Sequence, residues 1–185
     1  MYDLLTPCVD RRNGSRGERV LKVRPIWECI AKEVRDDPGI LDRVKPEEMP
    51  PCYREHPAVR RIIDSGKPPP IPLGVYFDGV RYTSASAGRQ DSIVSIRVIN
   101  LITHKRHMIA NQRHADMCRC GCRGWCTMYV VWLFVQWCLM ALVRGLRHVT
   151  SMDSRPWAER HAMHDWLHRF GQELGFTAVV VVDAM

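Results

Sequence analysis

From Cys126 to Val143 the chain is apolar almost throughout, interrupted chiefly by Thr127 and Gln136 and bracketed by Arg123 and Arg144. As helix, a run of this length reaches about 27 Å at a rise of about 1.5 Å per residue, just enough to cross a hydrocarbon core. Such a segment has two homes: a single membrane span through 126–143, or the centre of a domain whose neighbours cover it on all sides. The flanks carry no clear positive-inside asymmetry, which leaves the buried helix as the leading expectation and the membrane span as the alternative.

A buried helix needs other elements to cover it. The 185 residues suffice for one ordinary domain with a core, and 46% hydrophobic with 25% charged residues is a globular balance. Residues 1–20 hold Arg11, Arg12, Asn13, Gly14, Ser15, Arg16 and Gly17, a polar run without periodicity that reads as a flexible basic N-terminus. Residues 21–66 read as a helical extension. Ile26, Trp27, Ile30 and Val34 recur on one helical face before Pro38, and a second short helix over His56–Ile63 has Pro57 in its first turn and Gly66 beyond its end. The prolines of 67–72 fix φ and lack N–H groups, so this stretch reads as a stiff connector, neither helix nor central strand.

Beyond the connector the period changes. Leu73–Phe77 reads as a strand followed by an Asp78-Gly79 turn, and Ile93–Ile99 alternates Val94, Ile96 and Val98 against Ser95 and Arg97. Thr103-His104-Lys105 turns into a third strand over Arg106–Ala110, which completes an antiparallel meander. After the apolar run, Asp153 and Ser154 cap an expected helix to about Leu174, and Phe176–Val182 reads as a buried strand ending at Asp183. His161, His164 and His168 share one face of that helix and read as a pH-sensitive surface patch.

Three groups of residues carry chemistry. Asp78 and Asp183 each follow an apolar strand. If those strands lie side by side, the carboxylates converge and can share Mg²⁺ or Mn²⁺, which favour hard oxygen ligands. The competing reading is two ordinary turn aspartates. Cys118, Cys120, Cys122 and Cys126 fall within nine residues with Gly121 and Gly124 between them. Four thiolates from so short a run are cramped around Zn²⁺, so two or three of them with His107 or His114 make the easier site, and thiols packed under the following helix the plain alternative. Lys105, Arg106, Arg113, Arg119 and Arg123 belong to a basic run that can neutralise the phosphates of DNA or RNA, as the net charge of +7 favours; a solvated face looks the same.

Residues 1–19 have charges from Asp3 onward and no sustained apolar core, so no secretory signal is expected. The eight cysteines then read as reduced thiols or metal ligands in an intracellular compartment, nuclear or cytoplasmic, with no role as a secreted disulfide framework.

The segment from Pro72 to Thr83, the two strands after it and the run Met117-Cys-Arg-Cys-Gly-Cys-Arg-Gly-Trp-Cys-Thr127 together resemble a large uncharacterised protist family whose members look like relatives of transposases. The resemblance covers about residues 53–185. It implies an α/β, ribonuclease-H-like mixed sheet: three antiparallel strands, a central helix and a parallel fourth strand, with Asp78 and Asp183 in the places of two catalytic carboxylates. Integrase-like catalysis also needs a third carboxylate on a later helix, and the ribonuclease H arrangement needs a Glu that residues 126–145 lack. The expectation is therefore an incomplete or degenerate domain over 73–185, truncated at the C-terminus. It would bind nucleic acid, and would act as a Mg-dependent nuclease or strand transferase only if a third carboxylate were supplied. The alternative from another class is a non-enzymatic, zinc-assisted nucleic-acid or protein interaction module centred on Cys118–Cys126.

Overall fold

A computed structural model describes residues 1–10, 12–81, 91–148, 150, 152 and 172–181. These residues form a mixed α/β structure with two sheets. Strands β1 (Tyr2–Val9) and β2 (Arg16–Val23) pair antiparallel as a hairpin, from Tyr2↔Val23 to Val9↔Arg16. The four-stranded sheet has the order β5-β4-β3-β6, built from β3 (Ile71–Arg81), β4 (Ser92–Asn100), β5 (Arg106–Arg113) and β6 (Ala178–Val180). The pairs β3/β4 and β4/β5 are antiparallel, whereas β3/β6 is parallel. Helices α1 (Ile26–Asp36), α2 (Pro51–Arg54) and α3 (Pro57–Asp64) precede the sheet, and α4 (Trp125–Arg144) lies between β5 and β6 in the chain.

The hairpin corrects the reading of residues 1–20 as a flexible tail. Tyr2, Leu4, Thr6 and Cys8 alternate inward and are buried, while the intervening residues face outward. That is the period of a half-buried strand. Gly14, with φ +72°, closes the turn by donating its N–H to the Asp10 carbonyl at 2.8 Å. Tyr2 stacks on Phe134 of α4 at 5.4 Å between ring centroids, and Trp27 of α1 meets Trp137 edge-on at 4.7 Å. Hairpin, α1, α4 and sheet therefore share one apolar cluster.

Two further boundaries move. β3 begins inside the proline connector, at Ile71, although β3 is a central strand. The parallel ladder explains how Pro72 fits. Ile71 donates to Thr177 O at 2.8 Å and Leu73 O accepts from Val181 at 2.9 Å. An N–H on Pro72 would point the other way, toward Leu101 just beyond β4, where the contact is made by the Pro72 carbonyl alone, accepting from the Leu101 amide at 3.0 Å. At its other end β3 does not stop at Asp78. Asp78 pairs with Ser95 and Gly79 with Val94, and the ladder continues to Arg81↔Ser92. Gly79 has no positive φ, so Asp78 sits within a strand and not at its tip.

Helix α4 meets the length and mean hydropathy of a membrane-crossing helix. Val131, Phe134, Cys138, Ala141 and Leu142 on it are nonetheless fully buried or nearly so. Toward solvent it presents Trp125, Tyr129, Met140 and Val143, each more than a third exposed.

Candidate metal centre and nucleic-acid interface

The cysteine loop joins β5 to α4, and its shape follows from three left-handed residues: Gly121 (φ +88°), Arg123 (φ +51°) and Gly124 (φ +86°). L-residues with a Cβ avoid this region, which is why glycines hold two of the three places. The loop curls tightly enough that Gly124 donates to Cys118 O at 3.1 Å and Trp125 to Cys122 O at 2.9 Å. As a result the Sγ atoms of Cys118, Cys120, Cys122 and Cys126 all lie within 4.8 Å of one another. Cys118 is buried and Cys120 exposed, with the other two between.

Four thiolates at about 2.3 Å from one Zn²⁺ stand about 3.8 Å apart at the corners of a tetrahedron. Cys120 Sγ and Cys126 Sγ are 3.6 Å apart, near that spacing. The Cys126 amide donates to Cys122 Sγ at 3.5 Å, and this bond holds the Cys122 thiol well below its usual range, at about 6. The Cys126 thiol is pushed up to about 12, first by its hydrogen bond with Cys122 and then by that with Cys120. One sulfur is thus a ready anionic ligand while Cys126 keeps its proton until a cation arrives, since only the thiolate ligates. The group can hold a metal ion such as zinc with all four cysteines. The expected mixed site with His107 or His114 is not the arrangement found, because the glycine-shaped curl removes the crowding and His107 is engaged by Glu33.

Second contacts fasten this loop to the rest of the fold. Thr127 Oγ1 accepts from the Cys118 amide at 2.9 Å and donates to the Pro7 carbonyl of β1. Cys8 and Met117 form an antiparallel bridge, and buried Asp116 takes Arg19 of β2 at 2.6 Å. The loop is therefore the junction where hairpin, α4 and the end of β5 meet.

Asp78 lies on the face of the sheet turned away from α4. Val75 and Phe77, its odd-numbered neighbours, line an apolar groove of about 570 Å³ with Trp132, Leu139 and Met140 of the helix. Tyr76, Asp78 and Val80 line a separate depression of about 260 Å³ with Ser95, Arg97, Ile99 and Arg106. Tyr76 donates its hydroxyl to Asp78 Oδ2 at 3.1 Å, and that acceptor raises the tyrosine's pKa. Asp183 lies outside the described residues, as do the expected capping residues Asp153 and Ser154 and the histidines 161, 164 and 168. Parallel pairing of β3 with β6 runs from Ile71↔Ala178 to Leu73↔Val180, so these two strands run in the same direction. Among the described residues, the one group of three or more candidate metal ligands is the four cysteines.

The basic residues do not form a single patch. Lys105 and Arg106 stand at the start of β5 and Arg113 at its end, where its guanidinium holds Asp91 at 2.5 Å. Arg119 and Arg123 are exposed on the cysteine loop. Tyr76 and Arg97, which the sequence did not single out, also line the depression beside Asp78. Their period-two spacing was visible, but not the register Tyr76↔Arg97 that sets them side by side. No protein-family model, no curated protein and no solved structure matches the chain.

Proposed function

We propose that this chain is a zinc-assisted nucleic-acid-binding module built on a degenerate, transposase-derived ribonuclease-H-like sheet, with binding and not catalysis as its activity. The observation that carries the reading is the gathering of four cysteine sulfurs within 4.8 Å, on a loop that also exposes Arg119 and Arg123. A zinc ion there would fix the loop and hold two guanidiniums in place for phosphates, which they neutralise without reading sequence. The strand order β5-β4-β3-β6, with an antiparallel meander and one parallel strand reached through α4, supports the ribonuclease-H-like part of the reading.

Catalysis has less behind it. Two-ion phosphodiester chemistry needs carboxylates that converge on metals. Among the described residues, Asp78 shares its depression with Tyr76, Arg97 and Arg106, and α4 carries no acidic residue. Zinc-loaded protein is expected to bind a labelled oligonucleotide with an affinity that falls steeply with salt, and Cys120→Ser is expected to lose zinc and most of that binding together. A protein that holds no zinc, or binds no oligonucleotide at low salt, overturns the reading. Cleavage or strand transfer in Mg²⁺ or Mn²⁺ that Asp78→Asn abolishes would establish the enzymatic alternative instead.

A further inference from the structure

The sheet face turned away from α4 has a composition the cysteine loop does not explain. Tyr76 is 48% exposed, and its hydroxyl is tied to Asp78, which holds the ring in one place on the strand. Arg97 lies directly opposite Tyr76 on β4, and Arg106 enters the same depression from β5. Among the described residues, Arg97 Nε is buried without a hydrogen-bond partner. An unpaired N–H of this kind is costly, and the guanidinium it belongs to is only half-buried at the edge of the depression. We infer that this face binds single-stranded nucleic acid, with Arg97 and Arg106 holding one phosphodiester and the Tyr76 ring receiving the adjoining base.

Charge and size argue for this occupant. Two guanidiniums against the Asp78 carboxylate leave one net positive charge around the depression, which matches a phosphodiester better than the nearly doubly charged phosphate of a monoester. Its volume of about 260 Å³ is below the roughly 300–1,000 Å³ that encloses a whole small molecule. A ligand seated there therefore extends across the face, as a strand does. An exposed aromatic ring accepts an unpaired base, whereas the bases of a duplex are already stacked on one another. Ser95, whose hydroxyl donates to Asn111 Oδ1 at 2.7 Å, and Asp78 supply polar atoms beside the ring for a base edge or sugar.

The inference rests on the nucleic-acid reading above and adds a second surface to it. The test is fluorescence anisotropy of the full zinc-loaded chain with a labelled oligothymidylate, across a salt series, for the wild type and for Tyr76→Leu, Arg97→Gln and Arg106→Gln. Each variant is expected to weaken binding about tenfold, within the range of about 5- to 150-fold that one stacked base supplies. Each arginine variant should also shallow the slope of log affinity against log salt by about 0.7, which Tyr76→Leu should not do. Arg106 and Tyr76 are exposed, so their variants keep the test sound if Arg97→Gln fails to fold. Affinity unchanged in all three, but lost in Arg119→Gln/Arg123→Gln, overturns this site and leaves the module reading standing. No binding by the wild type removes both. Equal affinity for duplex, or full displacement of the strand by millimolar inorganic phosphate, overturns the assignment to a single strand.

Discussion

Glu33 on α1 and His107 on β5 meet inside the fold, with the His107 ring nitrogen on one carboxylate oxygen while Asn100 Nδ2 at 3.0 Å and Thr103 Oγ1 at 2.7 Å hold the other. Burial alone would raise the Glu33 pKa. The bonds from His107, Thr103 and Asn100 outweigh it, and the carboxyl ends below its ordinary 4.5. A depressed folded pKa gives stability that is complete above the unfolded value and is lost as pH falls through the folded one.

Glu33→Gln is accordingly expected to cost about 2 kcal/mol near neutral pH, the range for hydrogen bonds to a charged group. Thermal unfolding of both proteins across a pH series checks it. The gap between them should hold down to about pH 4.5 and close below it, where the wild-type carboxylate is protonated. A gap that stays constant into acid would show that the carboxylate's charge contributes nothing.

The two left-handed glycines of the cysteine loop should differ in what they tolerate. A Cβ at Gly121 would meet open space, whereas one at Gly124 would stand 2.8 Å from Met117 Sδ and 3.3 Å from its Cβ. Gly121→Ala is expected to cost only the backbone strain of about 1–2 kcal/mol. Gly124→Ala should cost more and should weaken zinc retention in a chelator competition. Equal costs would mean that packing against Met117 does not shape the loop.

Phe134 is fully buried on α4 and stacks with Tyr2. Phe134→Ala should destabilise the protein by about 3–5 kcal/mol through the cavity it leaves, while Met140→Ser, on the exposed side of the same helix, should change stability little. Protein that fractionates with the soluble phase without detergent and shows this asymmetry has α4 in its core. Retention in membranes, with the two substitutions equivalent, would favour the spanning reading.

Much of this architecture was legible in the sequence because it depends on local patterning. The α1 face at Ile26, Trp27 and Ile30, the Val94/Ile96/Val98 alternation and the apolar run of α4 each name their element before any partner is known. The hairpin was not legible. Tyr2, Leu4, Thr6 and Cys8 do alternate, but Thr6 and Pro7 dilute the apolar signal, and much of the burial comes from α4 and Met117, more than a hundred residues away. The end of β3 was missed for a related reason, since Asp78-Gly79 carries a turn signal that the β4 ladder overrides. At the metal centre the cysteines were plain, but a spacing cannot show that three left-handed residues fold four sulfurs into one cluster.

Everything proposed for the loop depends on those four sulfurs sharing one ion. X-ray absorption at the zinc edge, on protein purified without added metal and quantified for zinc, reads this directly. The expected result is one zinc per chain with four sulfur neighbours at about 2.3 Å, and loss of the signal in Cys120→Ser. A protein without zinc, or a zinc surrounded mainly by nitrogen and oxygen, would contradict the account.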